Sequence, residues 1–362
     1  MKILHIAPFN FSGVPIEFVR AERALGHTSR LITLGRDRRG YQEDVCLELP
    51  FLRSPFVWSA KRLVSRRVEQ TNIILTPSER PPVWRPRGWP ERILINLRDG
   101  LWRRSLQEFV REFPFFDFDV YQLDGGHGLL RSGEFIREVK RRGKKVVCCY
   151  LGSDLRLRGV IEEIDRLSDL NVTVEFDHLK LHPHIHHIFF PFDVRKFKTR
   201  QKENEVLRIG HAPTSRKAKG TKTIISAIRQ LQCTHRVDFA LIQNLPHAKA
   251  IELKYTCDIL VDQLGQLGYG MNSLEALAMG IPTCTSLPEE YESYLGSHPF
   301  VNVDEYNLGE KLTDLIENRE LRHQKGAEGR AWVEKFHDSR QVVTRIHTLL
   351  SAPSPPYSAG SR

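Results

Sequence analysis

The chain has 362 residues with a formal net charge of +10, 40% of them apolar and 27% charged. That length exceeds one ordinary core and suits two domains of about 150 to 200 residues each, and the mix excludes a chain too polar to fold. No apolar stretch approaches the roughly 20 residues of a bilayer span, and the six scattered cysteines include no C-x-x-C pair, which argues against a zinc site and a disulfide framework.

Short β-branched runs alternate with helix-length amphipathic segments, the pattern of parallel sheets flanked by helices, and the pattern occurs twice. The opening MKILHIAPFN reads as a strand over 2–7 without a signal-cleavage site, so a cytoplasmic protein is expected. A helix over 14–25 follows and stops at Gly26, the residue type that most easily makes the left-handed turn after a helix. Further strands are expected at 30–34, 119–123, 145–151, 171–175 and 187–191.

Between them, region 51–104 concentrates seven arginines from Arg80 to Arg104 with Trp58, Trp84, Trp89 and Trp102. Tryptophan favours a membrane interface and arginine its headgroups, so this region suits either peripheral contact at the inner face of a membrane or the packing of an acceptor groove. The net positive charge also suits nucleic acid, but no recognised binding motif accompanies it, and no nucleic-acid partner is expected. The histidines of FDHLKLHPHIHHIFFPFD lack carboxylate or thiol ligands at regular spacing, and no metal is expected there.

The segment FPFDVRKF at 190–197, followed by the charged run KTRQKENE, marks the expected domain junction. It separates domain 1–190 from domain 191–338, with a helix near 339–350 that packs back on the first and a Pro/Ser/Gly tail at 351–362 that reads as disordered. Second-half strands are expected at 206–211, 237–243, 258–262, 282–286 and 299–303.

Two second-half constellations carry chemistry. The first is a strand, a glycine-punctuated loop and a helix starting near Asn272, then a Gly-x-Pro stop. Gly265, Gly268 and Gly270 allow close backbone approach, and the helix start presents unpaired N–H groups to an anion. The other reading is a tight turn with no ligand. Glu275 lies in a helical turn that is apolar nearly all round, where a carboxylate needs hydrogen-bond donors: ribose hydroxyls, or a basic side chain from another element. The second constellation is the loop Ala212 to Thr221, where Arg216, Lys217 and Lys219 follow a strand end, to neutralise a diphosphate or to line a solvated loop.

Together these segments resemble the donor domain of family 4 glycosyltransferases, whose hallmark runs approximately E-G-F-G-x-x-x-L-E-A-M-A-x-G-x-P; residues Leu267 to Pro282 here read LGYGMNSLEALAMGIP. Ser12-Gly13-Val14 with Leu25-Gly26-His27 resembles the family's entry segment, Tyr150 to Arg156 its H-G-S-D segment, and Pro191 to Phe197 its interdomain P-x-x-D-x-x-x-F. The resemblance implies a GT-B fold, two Rossmann-like doubly wound parallel-sheet domains facing across a cleft. It implies a retaining transferase that moves a sugar from a nucleotide-sugar donor to a glycan, lipid-linked or other hydroxyl acceptor, with no cofactor beyond that donor, a UDP-sugar first and a GDP- or ADP-sugar second.

The donor-binding set carried over is Gly13, Thr214, Arg216, Lys219, Gly268, Tyr269, Gly270, Met271, Asn272, Ser273 and Glu275. Glu275 would hold the ribose, Lys219 the diphosphate, and the amides of Gly270 to Ser273 the distal phosphate. Asp124 falls in register with a family histidine near the reacting centre and His127 lies three residues on; either is the candidate catalytic group. Two positions depart from the family: Leu267 stands where a second glutamate is usual and Thr214 where an arginine is usual, with Gln263, Gln266 or Arg216 as substitutes. Those departures keep two alternatives open, a binding or scaffold protein without turnover and a nucleotide-sugar epimerase. A nicotinamide dehydrogenase is disfavoured because the first strand leads into Phe9-Asn10-Phe11-Ser12-Gly13 and not G-x-G-x-x-G.

Overall fold

A computed structural model describes residues 1–37, 39–52, 78–86, 88–265 and 267–352. They fall into two compact units, Met1–Phe189 with the chain from Val343 onward, and Phe190–Val342.

The first unit contains β1 (Lys2–Ala7), α1 (Val14–Ala24), β2 (Thr28–Thr33), β3 (Val45–Cys46), α2 (Trp89–Glu112), β4 (Val120–Asp124), α3 (Glu134–Arg141), β5 (Lys145–Tyr150), α4 (Glu162–Leu167), β6 (Leu170–Thr173), α5 (His178–Leu181) and β7 (His186–His187). Its sheet runs β3-β2-β1-β4-β5-β6-β7, every described pairing parallel. Central strands read as near-continuous apolar runs because helices cover both faces. In KILHIA only Lys2 is exposed, and all five residues of β4 are buried.

The second unit contains β8 (Leu207–His211), α6 (Thr221–Leu231), β9 (Val237–Leu241), α7 (His247–Lys254), β10 (Ile259–Gln263), α8 (Met271–Ala278), β11 (Thr283–Thr285), α9 (Glu289–Leu295), β12 (Val301–Asn302), α10 (Leu308–Glu317) and α11 (Arg319–Phe336). Its parallel sheet runs β12-β11-β10-β8-β9. The last helix, α12 (Ser339–Ser351), belongs to the second unit through Val342 and to the first from Val343. Both strand orders are doubly wound, so the expected pair of Rossmann-like α/β domains is present.

One local expectation shifts, and two elements appear that the sequence pattern did not indicate. The strand expected at 187–191 shortens to His186–His187: Pro191 has no N–H to give a sheet, and Phe192 bridges Asp338 instead. Strand β3 is two residues long and carries too short a pattern to be read from sequence. Helix α2, 24 residues long, begins inside the Arg/Trp-rich region and runs past its end to Glu112; the part of that region at 53–77, and Arg87, lie outside the described residues, as do the tail from 353 and Gln266.

Candidate functional site

Ligands of open parallel sheets gather beyond the carboxyl ends of the strands, where the strand order reverses. In the second sheet that point lies between β8 and β10, and in the first between β1 and β4. The chain leaving those strands carries every nominated residue: 212–220 and 264–275 in the second unit, 8–13 and 124–131 in the first.

In the second unit the basic loop and the acidic helix meet. Asn272 Nδ2 donates to the carbonyl of Ala212 at 2.8 Å, tying the first turn of α8 to the start of the loop. Lys219 Nζ donates to Asp262 Oδ1 at 2.5 Å, and Ser273 Oγ donates to Asp262 Oδ2 at 2.6 Å, so one buried carboxylate at the end of β10 positions both groups. Burial opposes ionisation of Asp262, but the Lys219 charge and these hydrogen bonds hold its carboxyl below the usual range.

Glu275 is buried and engaged on both oxygens. Oε2 accepts from Lys254 Nζ, and Oε1 pairs with His247 Nε2 at 2.7 Å. Lys254 also reaches Asn272 Oδ1 at 2.5 Å. Burial again opposes ionisation, and Lys254 first, then His247, keep the Glu275 carboxyl below its ordinary value. The basic side chain from another element, one of the two partners open at the sequence level, is thus present as Lys254 of α7. A carboxylate has about four lone-pair positions, so sites remain for ribose hydroxyls, and the His247 side chain, 36% exposed, marks the open side of the cluster.

The N-terminus of α8 suits an anion. No side chain caps it, its N-cap is Gly270, and a Cβ there would meet open space. Gly268 turns the loop at φ +80, with Gln263 Nε2 and Thr285 Oγ1 both donating to its carbonyl. A Cβ on Gly268 would stand 2.5 Å from Tyr291, which leaves no room for a side chain. Tyr269 faces away: it stacks on Phe300 at 4.7 Å between ring centroids and donates or accepts at His337 Nε2 over 3.1 Å. Its side chain holds the loop against the core, so a ligand meets at most its backbone. Met271 is half-buried, and Thr214 and Leu267 are exposed. Of the expected substitutes, Gln263 is turned onto Gly268, while exposed Arg216 donates to Gln243 at 2.8 Å.

In the first unit the two catalytic candidates separate. Asp124 is fully buried, bonded to His5 Nδ1 at 3.0 Å and to Gln122 Nε2 at 2.9 Å. His5 Nε2 pairs with Glu22 at 3.0 Å, and His347 of α12 reaches Glu22 at 3.5 Å. Burial opposes a charge on His5, but Glu22 and Asp124 raise its pKa to about 10; against the same burial penalty His5 and His347 lower that of Glu22 to about 2. Asp124 is thereby committed to a buried ion cluster.

His127 donates from Nδ1 to the Gly128 carbonyl at 2.5 Å, leaving Nε2 as the ring's acceptor. Burial first, then Arg131 and Arg158, keep the ring neutral well below its usual pKa. Gly13 sits against the ring of Tyr41, before α1. Within the histidine run, His178 bonds Thr173 at 2.7 Å and the Gly152 carbonyl at 3.0 Å, and His182 bonds Asp165 at 3.1 Å, so these two are held by the fold. Lys254, His247, Asp262, Arg131 and Arg158 were not identified from sequence, since no spacing links a lysine of one helix to a glutamate of the next.

No protein-family model and no curated protein matches the sequence. Solved structures do resemble it in fold. HepE from Anabaena, determined with UDP, superimposes with a TM-score of 0.56 at 12% identity over 98% of this chain and 100% of its own. The same protein with UDP-glucose gives 0.57 at 13%, over the same shares. Sucrose-phosphate synthase from Thermosynechococcus elongatus gives 0.61 at 10%, over 96% of this chain and 98% of its own.

Proposed function

We propose that this protein is a glycosyltransferase that moves a sugar from a nucleotide-sugar donor to a hydroxyl acceptor, with the donor held by the second unit. The observation that carries the reading is the junction of basic loop and acidic helix at a topological switch point: Asn272 bonded to Ala212, and Lys219 and Ser273 sharing Asp262. Glu275 then receives the ribose, Lys219 the diphosphate, and the amides at the start of α8 the distal phosphate. Departure of the nucleoside diphosphate builds negative charge, which fixed cations and N–H dipoles stabilise more in the transition state than in the ground state.

A UDP-sugar is the first choice of donor, on the analogy of HepE, whose structures hold UDP and UDP-glucose. Retention of anomeric configuration follows from the family 4 resemblance. Region 51–104 is proposed to touch an anionic membrane or lipid-linked acceptor. In support, α2 exposes Trp89, Ile93, Leu94, Leu97 and Leu101 beside exposed Arg92 and Arg104. Loss of vesicle flotation on Leu97→Glu is the expected result; unchanged flotation, or none by the parent protein, removes the membrane contact.

The main test is a thermal-shift panel of UDP, GDP, ADP and their sugars, followed by product analysis. Stabilisation by one nucleotide family that Glu275→Ala weakens by about 1 to 3 kcal/mol supports the site; no stabilisation by any of them sinks it. One observation favours a second reading, a donor-binding protein without turnover: both Glu275 oxygens already have protein partners, and exposed Leu267 and Thr214 stand at the two family polar positions. Nucleotide binding without transfer or hydrolysis would select it.

A further inference from the structure

Arg158 and Arg131 lie beside the loop that carries His127. Arg158 Nη2 donates to the Gly125 carbonyl at 2.6 Å and Nε to the Gly159 carbonyl at 2.9 Å. Trp84 is held next to it, since its N–H donates to the Val160 carbonyl at 2.8 Å and Val83 bridges Val160. The Arg131 guanidinium lies over the Trp84 ring at 4.3 Å, and its buried Nε has no hydrogen-bond partner among the described residues. Arg98 of α2, stacked over Trp102 at 4.3 Å, adds a third guanidinium whose charge reaches both Arg131 and His127.

The nearby carboxylates act on Arg131 and Arg158 only at longer range, Asp99 and Glu91 on the first and Asp154 on the second. Asp99 pairs with Arg98 at 2.5 Å. Asp154 accepts from the backbone N–H groups of Leu151, Gly152 and Leu155 at 2.7 to 2.8 Å. Among the described residues neither Arg131 nor Arg158 has a carboxylate in salt-bridge contact. Arginine cannot shed its proton at neutral pH, and largely buried charge without a counter-ion is expensive. Arg158 thus meets only backbone carbonyls and Arg131 keeps an unpaired buried Nε, so two buried guanidinium charges without a carboxylate in contact adjoin one loop, an arrangement suited to a multivalent oxyanion.

We propose that Arg131 and Arg158, assisted by Arg98, form an anion site beside His127 that holds the phosphate group of a phosphate-bearing acceptor. This rests on the transferase reading for the word acceptor, but not for the anion site itself. A phosphate seated there would place the acceptor's neighbouring hydroxyls near the His127 loop, at the switch point of the first sheet.

The test uses the full chain with UDP present in excess, so that the second unit's diphosphate site is filled, and titrates inorganic phosphate calorimetrically. Saturable binding that Arg131→Gln and Arg158→Gln each weaken at least tenfold is expected, with UDP affinity unchanged. The melting temperature of Arg131→Gln without phosphate should stay level or rise, because a buried charge with an unpaired Nε has gone, whereas Arg158→Gln also loses two hydrogen bonds to backbone carbonyls and is read by phosphate affinity alone. If a Gln variant fails to fold, Arg131→Lys and Arg158→Lys keep the charge, lose the fork and should weaken phosphate binding less. No phosphate binding by the parent protein, or parent-like binding by both Gln variants, overturns the site. Competition by glucose 1-phosphate points to a soluble phosphorylated acceptor. Competition only by phosphatidylcholine vesicles containing phosphatidic acid points to a lipid-linked one. Competition by neither overturns the acceptor assignment. Failure of UDP to bind would remove the transferase reading while leaving the phosphate result readable.

Discussion

In the first sheet a histidine lies between two carboxylates, His5 between Asp124 and Glu22; in the second a carboxylate lies between a lysine and a histidine, Glu275 between Lys254 and His247. The inverted charge order is less telling than the exposure. His5 and Asp124 are sealed from solvent, whereas the Glu275 cluster opens through His247, whose side chain is 36% exposed. The His5 cluster, closed except at His347, whose side chain is 16% exposed, ties strands β1 and β4 to α1 and α12. An open one holds an acid ionised and poised beside a helix N-terminus, where a ligand can share it. Buried charge is therefore weak evidence of function by itself; the open edge separates the two cases.

The comparison breaks most visibly if Asp124 is removed. Asp124→Ala should destabilise the protein by about 3 to 5 kcal/mol, the scale of a broken buried pair, in denaturant melts, without lowering UDP affinity. The pH profile sharpens the same point. His5 takes up its proton more strongly in the fold, near 10 against 6.5, so its contribution is complete below about pH 6.5 and lost as pH rises through about 10. Glu22 is depressed to about 2 from 4.5, so its contribution is present above about pH 4.5 and lost as pH falls through about 2. The cluster should stabilise most between about pH 4.5 and 6.5, and His5→Gln should flatten the decline on the alkaline side; a parent-like profile in that variant would dissolve the assignment.

Breaking the second cluster should cost less stability and more binding. Lys254→Met is expected to lower stability by about 3 kcal/mol, the lower end for such pairs because Glu275 keeps His247, and to weaken UDP binding as well. Equal UDP affinity in parent and variant would make the two clusters alike. Lys219→Ala should reduce kcat by about 100-fold if it stabilises the leaving diphosphate, measured as product per unit time at saturating donor; a change in KM alone would reduce it to a binding group. The smallest effect on stability belongs to Leu267→Glu, within about 0.5 kcal/mol because the position is exposed. If the proposed transfer holds, it should nonetheless raise turnover by supplying the carboxylate usual in the family that the sequence resembles, and unchanged turnover would show that Leu267 does not limit the reaction.

The doubled parallel α/β plan was legible in the sequence because it is a local property: β-branched runs such as KILHIA and ILVDQ, glycine after α1, and the Gly-x-Pro stop after α8 act over a few residues. Helix α2 was not legible. Its outer face carries Ile93, Leu94, Leu97 and Leu101 and its inner face Trp102 and Leu106, so apolar residues on two separate faces blur the amphipathic period.

The sequence by itself determined the two α/β units and the placing of Lys219 and Glu275 on a loop and helix that follow strand ends. Only the tertiary structure decided the partners: that Glu275 meets Lys254 and His247, that Asp124 turns inward to His5, that Tyr269 packs on Phe300, and that Arg131 and Arg158 converge near His127. The physical reason is range. Propensity and periodicity act between neighbours in the chain, while the pairing of charges is settled by which strand ends the sheet order brings side by side.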